Sequence, residues 1–235
     1  MVRIEKRDGI FIVYIPPISN LRSSEDLIKT FKSLESAEGL SAVILASDHP
    51  KFWNAGNDFK EMMKLGPSHM VALVEAKMRV LHAILTVNVP TIACVTGQAQ
   101  AGGCLMAMAC DYRVMSKEKA FLQMGELYAK VVTPTRGSKL LMAKVHPNVY
   151  KDMLLRAKRF LPEDCLKHQL VEFLSEAPLE KAIELAKEVS MFGENNELYG
   201  ATRLSVYGDV IKTLEEPKMT ELETRINRKA FGPKL

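Results

Sequence analysis

The chain has 235 residues, of which 47% are hydrophobic and 26% are charged. This balance is typical of a globular fold, so a disordered or fibrous protein is excluded. The 32 Lys and Arg residues against 28 Asp and Glu leave a net charge of +4. Because no stripe of basic residues concentrates this charge, we expect no nucleic acid and no membrane surface as partner. No apolar run is long enough to predict a membrane-spanning helix.

Alternating apolar side chains open the chain at residues 2–7 and 10–15, and the Asp-Gly pair between these segments predicts a β-hairpin. Because the alternation begins almost at the first residue, we expect no targeting segment before the fold. Residues 23–26 are typical of a helix cap. The apolar spacing that follows predicts an amphipathic helix that ends near Gly39.

The middle of the chain alternates strands with helices. Strands are predicted at residues 42–46, 90–95 and 111–115, and the first two are continuous apolar runs, which are typical of strands buried on both faces. Helical patterns at residues 70–85 and 104–110 lie between them. This order predicts an α/β fold with parallel strand pairing.

From Pro134 onward, helical patterns dominate the sequence. They fall at residues 140–144, 150–157, 179–191 and 198–214, with a short helical turn at residues 163–167. We therefore expect two parts, a core at residues 1–161 and a C-terminal helical module at residues 162–235 that packs against the core or another subunit.

Four cysteines are present, and none of them forms a C-x-x-C pair or accompanies a cluster of histidines. We therefore expect no metal site and free, reduced thiols. The 13 methionines are numerous, and their flexible side chains suit a core or pocket with an irregular apolar shape.

Two loops rich in small residues each follow a buried strand. Residues 51–58 are interpreted as an irregular loop that contains Asn54-Ala55-Gly56-Asn57-Asp58, and residues 97–103 lead into a buried helix. Glycine permits a ligand to approach the backbone closely, and a helix N-terminus offers unpaired N–H groups to negative charge. On spacing alone, however, tight packing of strands on helices explains these glycines better than a ligand does.

Together, the two segments resemble the crotonase, or enoyl-CoA hydratase/isomerase, superfamily. Residues 55–58 match its A-G-x-D loop, and residues 97–103 match its second motif, which is followed by a buried helix and Asp111. Weaker similarity continues to Val189. The resemblance implies a crotonase (ClpP-like) α/β fold, a spiral of β-β-α units with a C-terminal helical module. It also implies an acyl-CoA thioester as substrate, with no separate cofactor because coenzyme A is part of the substrate.

The same resemblance implies the roles of individual residues. The backbone N–H groups of Asn57 and Gly102 would form an oxyanion hole around the thioester carbonyl. The remaining residues expected to bind the CoA ester are Asn54, Ala55, Gly56, Asp58 and Gly103. The loop carbonyls at Asn54 and Ala55 would face the adenine end of CoA. Asp111 is expected to be a structural hydrogen-bond acceptor.

The carboxylates distinguish among the activities of this superfamily. Its hydratases use two glutamates; the first position here is Leu105, and the second falls at Glu126. One base suffices for a Δ3,Δ2-enoyl-CoA isomerase, which moves a double bond without water. The alternatives are a hydratase with one glutamate and a non-catalytic acyl-CoA-binding homologue. Glu126 could also be an ordinary surface glutamate, but its apolar neighbours indicate partial burial.

Two departures from the superfamily pattern concern the same site. Ala101 replaces a glycine, and residues 129–137, which should border the acyl pocket, match poorly. The resemblance also implies a homotrimer or a dimer of trimers. Finally, Pro233-Lys234-Leu235 differs by one substitution from the peroxisomal address Ser-Lys-Leu, which predicts a peroxisomal import receptor as partner and a peroxisomal location unless the match is due to chance.

Overall fold

The computed structural model describes residues 2–216 and 219–231. In chain order its strands are β1 (Arg3–Arg7), β2 (Ile10–Tyr14), β3 (Ala42–Ala46), β4 (Phe52–Asn54), β5 (Thr91–Val95), β6 (Gln98–Gln100), β7 (Tyr112–Ser116), β8 (Phe121–Gln123), β9 (Arg159–Phe160) and β10 (Phe173–Ser175). Its helices are α1 (Leu21–Leu34), α2 (Phe59–Leu65), α3 (Pro67–Thr86), α4 (Gly102–Ala109), α5 (Thr135–Lys144), α6 (Pro147–Leu155), α7 (Pro162–Lys167), α8 (Pro178–Gly193), α9 (Asn196–Glu215) and α10 (Glu221–Phe231).

A six-stranded sheet in the order β1-β2-β3-β5-β7-β10 forms the centre of the molecule. The β1-β2 hairpin is antiparallel, and the other neighbours are parallel, which confirms both predictions. Successive residues of β3 face opposite sides, so Val43 and Leu45 pack toward α1, α3 and α4, whereas Ala42 and Ile44 pack toward α8. All five residues of β3 are buried, as its continuous apolar sequence predicts.

The expected β-β-α repeat is present. β3, β5 and β7 join the central sheet, and the strands that follow each of them, β4, β6 and β8, join a second sheet in the order β4-β6-β8-β9. Helices α2, α4 and α5 follow these pairs in turn. The interpretation of residues 51–58 and 97–103 as loops is therefore partly wrong, because each contains a three-residue strand.

Several helix boundaries differ from the predictions. The N-cap of α1 is Asn20, whose side chain accepts a hydrogen bond from the Ser23 backbone N–H at 2.9 Å, so the helix begins before residues 23–26. The same helix ends at Leu34, ahead of Gly39, which has a left-handed φ of 70°. Helix α10 was not predicted.

The residues after 161 complete the central layers of the fold. β10 pairs with β7 at the edge of the large sheet, and α8 covers β3 and β5. The division at residues 161 and 162 stays a prediction. Among the described residues, no helix combines the length and apolar character that crossing a bilayer requires.

Candidate active site

A cavity of about 240 Å³ lies where the two motif loops meet. Four of the predicted site residues line it: Ala55, Asn57, Gly102 and Glu126. Most of its wall is apolar, with contributions from α2, α3, α4, α10 and residues 129–134. The predicted border of the pocket at residues 129–137 therefore does contact the cavity, although its sequence matches the superfamily poorly.

The first loop is fixed by hydrogen bonds on both sides of Asn57. The Ser19 N–H donates to the Gly56 carbonyl at 2.8 Å, and the Asp58 N–H donates to the Ser19 carbonyl at 2.9 Å. The Asn54 side chain accepts from the Gly56 N–H at 2.9 Å. The Asn57 N–H itself has no hydrogen-bond partner among the described residues, so it is available to a ligand in the cavity.

The second loop places Gly102 at the N-terminus of α4, where N–H groups lack partners within the helix. Its N–H has no hydrogen-bond partner in the part of the chain that the structure describes. The two loops are in close contact, since a Cβ on Gly56 would lie 3.1 Å from the Gly102 nitrogen. Two free N–H groups therefore belong to residues that line one cavity from adjacent loops, as the predicted oxyanion hole requires.

The other four predicted site residues lie outside the cavity wall. Asn54 is fully buried, and a Cβ on Gly103 would overlap its carbonyl oxygen, so Gly103 permits the contact between the two loops. Gly56 has a left-handed φ of 86°, and Asp58 caps α2 by accepting a hydrogen bond from the Glu61 N–H at 2.9 Å. These positions shape the loops, and a contact with CoA stays a prediction for each.

Glu126 lies in the turn after β8 and faces the cavity. Its Oε2 atom is buried and has no hydrogen-bond partner among the described residues. Burial raises the pKa of its carboxyl group to about 7, because the charged form is poorly solvated there. The predicted partial burial is confirmed, and a carboxyl group with this pKa can exchange a proton near neutral pH.

The rest of the wall is largely apolar. Leu105, where the resemblance places the first hydratase glutamate, is 2% exposed and lines the cavity. Apolar side chains surround it, among them three methionines, which were predicted to suit a pocket: Met62, Met70 and Met78. From the C-terminal helix α10, Phe231 lines the cavity and packs on Phe59 with ring centroids 5.3 Å apart.

The sequence interpretation missed Lys77, a lysine of α3 that also lines the cavity. It is only 1% exposed, and its Nζ atom donates hydrogen bonds to Ser19 Oγ at 2.7 Å and Met106 Sδ at 3.1 Å. Its spacing from Leu73 and Leu81, four residues away on either side, placed it on the apolar face of the helix. This spacing is the sequence feature from which the burial of Lys77 could have been predicted.

Asp111 lies outside this cavity and has the structural role that was expected. Its Oδ2 atom accepts hydrogen bonds from the Thr91 N–H and hydroxyl groups, both at 2.9 Å, and from the Tyr199 hydroxyl at 3.1 Å. Arg203 of α9 forms an ion pair with it. The carboxylate thus joins α9 to β5.

Comparison with known proteins identifies the family. The Arabidopsis thaliana protein named enoyl-CoA delta isomerase 1, peroxisomal, is 29% identical over 221 residues, which cover 90% of this chain and 91% of the relative. The Rattus norvegicus enoyl-CoA delta isomerase 1, mitochondrial, is 29% identical over 139 residues, or 57% of this chain and 48% of the relative.

A similar fold occurs in the crystal structure of an enoyl-CoA hydratase from Mycobacterium ulcerans Agy99, with a TM-score of 0.83 and 19% identity. The match covers 98% of this chain and 99% of the other. It supports the crotonase fold that the sequence predicted. The profile described as enoyl-CoA hydratase/isomerase matches residues 19–199, well over half of the sequence. With its two motif loops joined around one cavity, the chain belongs to the enoyl-CoA hydratase/isomerase family.

Proposed function

We propose that the protein is a Δ3,Δ2-enoyl-CoA isomerase, which converts a 3-enoyl-CoA into the 2-trans-enoyl-CoA. The observation that carries this proposal is the set of polar groups at the cavity. Among the described residues of its wall, Glu126 is the one carboxylate, and it faces the same space as the free N–H groups of Asn57 and Gly102. The names of the two relatives, both enoyl-CoA delta isomerases, support the same activity.

The proposed reaction moves one proton and shifts one double bond. The Glu126 carboxylate removes a proton from C2 of the substrate, and the electron pair delocalises onto the thioester oxygen to give a dienolate. The N–H groups of Asn57 and Gly102 donate hydrogen bonds to that oxygen. Glu126 then returns the proton to C4, which leaves the double bond between C2 and C3. No water and no cofactor take part, since CoA belongs to the substrate.

The environment of Glu126 supports its role as both base and acid. A carboxyl group with a pKa of about 7 is ionised in a large fraction of molecules at neutral pH, and it binds a proton more tightly than a surface glutamate does. Leu105 offers no second acid, so the described residues of the cavity wall include no pair of carboxylates that could activate water and protonate the double bond. This difference favours isomerisation over hydration.

A pair of spectroscopic assays tests the proposal. We expect the enzyme to convert 3-hexenoyl-CoA into the conjugated 2-enoyl product, measured by the rise in ultraviolet absorbance, and to leave 2-hexenoyl-CoA unchanged. Consumption of 2-hexenoyl-CoA with formation of a 3-hydroxyacyl-CoA would identify a hydratase instead. Reaction of neither substrate, with binding of hexanoyl-CoA retained in calorimetry, would identify a non-catalytic acyl-CoA-binding protein.

Assembly is part of the same proposal. Large apolar side chains are exposed on α8 and α9, which is typical of surfaces that contact other subunits: Met191, Phe192, Leu198, Leu204 and Val206. We propose that the chain forms a homotrimer or a dimer of trimers. Light scattering coupled to size-exclusion chromatography tests this, and a monomer at micromolar concentration would contradict it.

For the cellular location we propose the peroxisome, because the Arabidopsis thaliana relative is named peroxisomal and matches over nine-tenths of its length. The shorter match to a rat protein named mitochondrial makes mitochondria the alternative. Imaging of the chain with a fluorescent protein at its N-terminus decides between them. The tripeptide predicted to bind the import receptor, Pro233-Lys234-Leu235, lies outside the residues that the structure describes.

A further inference from the structure

A buried lysine packs against one side of the proposed oxyanion hole and reaches the other side through Ser19. Lys77 is 1% exposed and lies on α3, beneath the two motif loops. Its hydrogen-bond partners are Ser19 Oγ and Met106 Sδ, and no carboxylate among the described residues forms an ion pair with it. Burying a cationic side chain without a counter-ion is unfavourable, and packing alone does not explain its presence in a methionine-rich wall.

On the side of Asn57, the amine acts through Ser19. Ser19 is fully buried, and its backbone forms hydrogen bonds to Gly56 and Asp58, the residues on either side of Asn57. Its hydroxyl oxygen accepts hydrogen bonds from Lys77 Nζ at 2.7 Å and from Asn54 Nδ2 at 3.2 Å. The amine therefore fixes the residue that holds the backbone around the Asn57 N–H.

On the side of Gly102, the aliphatic part of the same lysine forms the support. A Cβ on Gly102 would lie 3.0 Å from Lys77 Cε and 3.3 Å from Cδ, so the lysine packs directly against this glycine. The amine then reaches past it to Ser19 and to Met106, which lies four residues further along α4. One side chain of α3 thus contacts α4 directly and reaches the first loop through Ser19.

We propose that Lys77, acting through Ser19, is a positioning residue that holds the N–H groups of Asn57 and Gly102 at the spacing that a dienolate oxygen requires. The inference rests on the proposed isomerase activity. Burial lowers the pKa of the Lys77 amine to about 7, which is the kind of perturbation that accumulates at functional sites. A small displacement of such donors reduces turnover more than substrate binding, because they bind the oxyanion more strongly than the substrate carbonyl.

The test uses Lys77→Met, which retains most of the packing against Gly102 and removes the amine. With 3-hexenoyl-CoA we expect kcat to fall by about tenfold or more and KM to change less than about twofold. The midpoint of thermal unfolding at pH 7 should stay equal or rise, because the variant no longer buries an amine. A lysine with a merely structural role would show a lower unfolding midpoint and an unchanged kcat in the folded protein.

Two further variants make the test specific. Lys144→Met is the matched control, since Lys144 is a second lysine whose pKa is lowered by burial, yet it lies outside the cavity and contacts Tyr207 and Cys110. Its kcat should equal that of the wild type. Ser19→Ala removes the other member of the contact, and it should reduce kcat to a similar extent. In the double variant, Ser19→Ala should reduce kcat little beyond the loss in Lys77→Met alone, because both changes break the same hydrogen bond.

The outcomes separate this inference from the proposed function. A wild-type protein that does not isomerise 3-hexenoyl-CoA overturns both. An active wild type together with fully active Lys77→Met overturns the inference alone, as do additive losses in the double variant or a loss confined to KM. If Lys77→Met fails to fold, Ser19→Ala decides the question by the same split between kcat and KM.

Discussion

Two buried charged regions of this protein differ in how their charges are compensated. Around Asp111, the carboxylate receives hydrogen bonds from Thr91 and Tyr199 and forms an ion pair with Arg203. At the cavity, Glu126 has an unpartnered oxygen, and Lys77 has no acidic partner in the described structure. Partnered charges join α9 to the central sheet, whereas the two uncompensated ones adjoin the proposed oxyanion hole. Because burying a charge without a partner is unfavourable, two such side chains at one cavity support the proposed active site.

The largest expected effect follows from removing the uncompensated carboxylate. Glu126→Gln should reduce isomerisation of 3-hexenoyl-CoA by about 10²–10⁴-fold, since it removes the proposed acid–base group. The same change should raise the free energy of unfolding above pH 7, because an amide carries no charge to bury. Absorbance assays and chemical denaturation measure the two effects. Glu118→Gln, at an exposed position, is the control and should alter neither. Unchanged turnover in Glu126→Gln would exclude this residue as the base.

Around Asp111, removing a charged side chain should lower the free energy of unfolding instead of raising it. Arg203→Met leaves Asp111 buried without its cation and frees the carbonyl groups of Val87 and Val89, to which Arg203 donates hydrogen bonds. We expect a loss of about 3–5 kcal/mol in unfolding free energy, measured by chemical denaturation. The control is Arg156→Met, which breaks an exposed ion pair with Asp152 and should change stability by less than about 1 kcal/mol. Equal stability of the two variants would contradict the distinction between the regions.

The pH dependence of stability gives a smaller but sharper measure of the uncompensated lysine. Burial lowers the pKa of Lys77 to about 7, so between pH 7 and pH 9 the unfolded chain binds more protons at this residue than the folded protein does. The free energy of unfolding must then rise by about 2 kcal/mol between pH 7 and pH 9. Well below pH 7 the amine is protonated in both the folded and the unfolded state, so this residue adds no pH dependence there. Denaturation at pH 7, 8 and 9 should show this rise as a difference between wild type and Lys77→Met. A constant difference would mean that the amine is not perturbed by burial.

The fold could be predicted where burial leaves a local pattern in the sequence. The continuous apolar run of β3 correctly predicted a strand buried on both faces, and the Asp-Gly pair correctly predicted the β1-β2 hairpin. By contrast, β4 and β6 have three residues each, and β6 has the polar sequence Gln-Ala-Gln. These strands form through pairing between distant segments, so no local periodicity indicates them.

The candidate site was predictable to a similar extent. Asn57, Gly102 and Glu126 were predicted from family motifs, and the structure brings all three to one cavity. Lys77 belongs to no motif, and a lysine in an amphipathic helix is normally assigned to the solvent face. Its burial depends on contacts with Ser19, Gly102 and Met106, which are distant from it in the sequence. Sequence motifs thus identified the groups proposed to act on the substrate, whereas the group beneath them required the three-dimensional contacts.

The smallest expected effect concerns Ala101, which precedes Gly102 and has φ 49° and ψ −120°. This left-handed conformation favours glycine, the residue that the superfamily pattern has here, so the alanine stores backbone strain. Ala101→Gly should relieve that strain and gain about 1 kcal/mol or less, because the freer unfolded chain offsets part of the relief. Thermal unfolding measures the change, with Ala107→Gly in the regular part of α4 as a control that should lose about 1 kcal/mol. Equal losses in both variants would show that Ala101 is unstrained, and that the second loop tolerates alanine without cost.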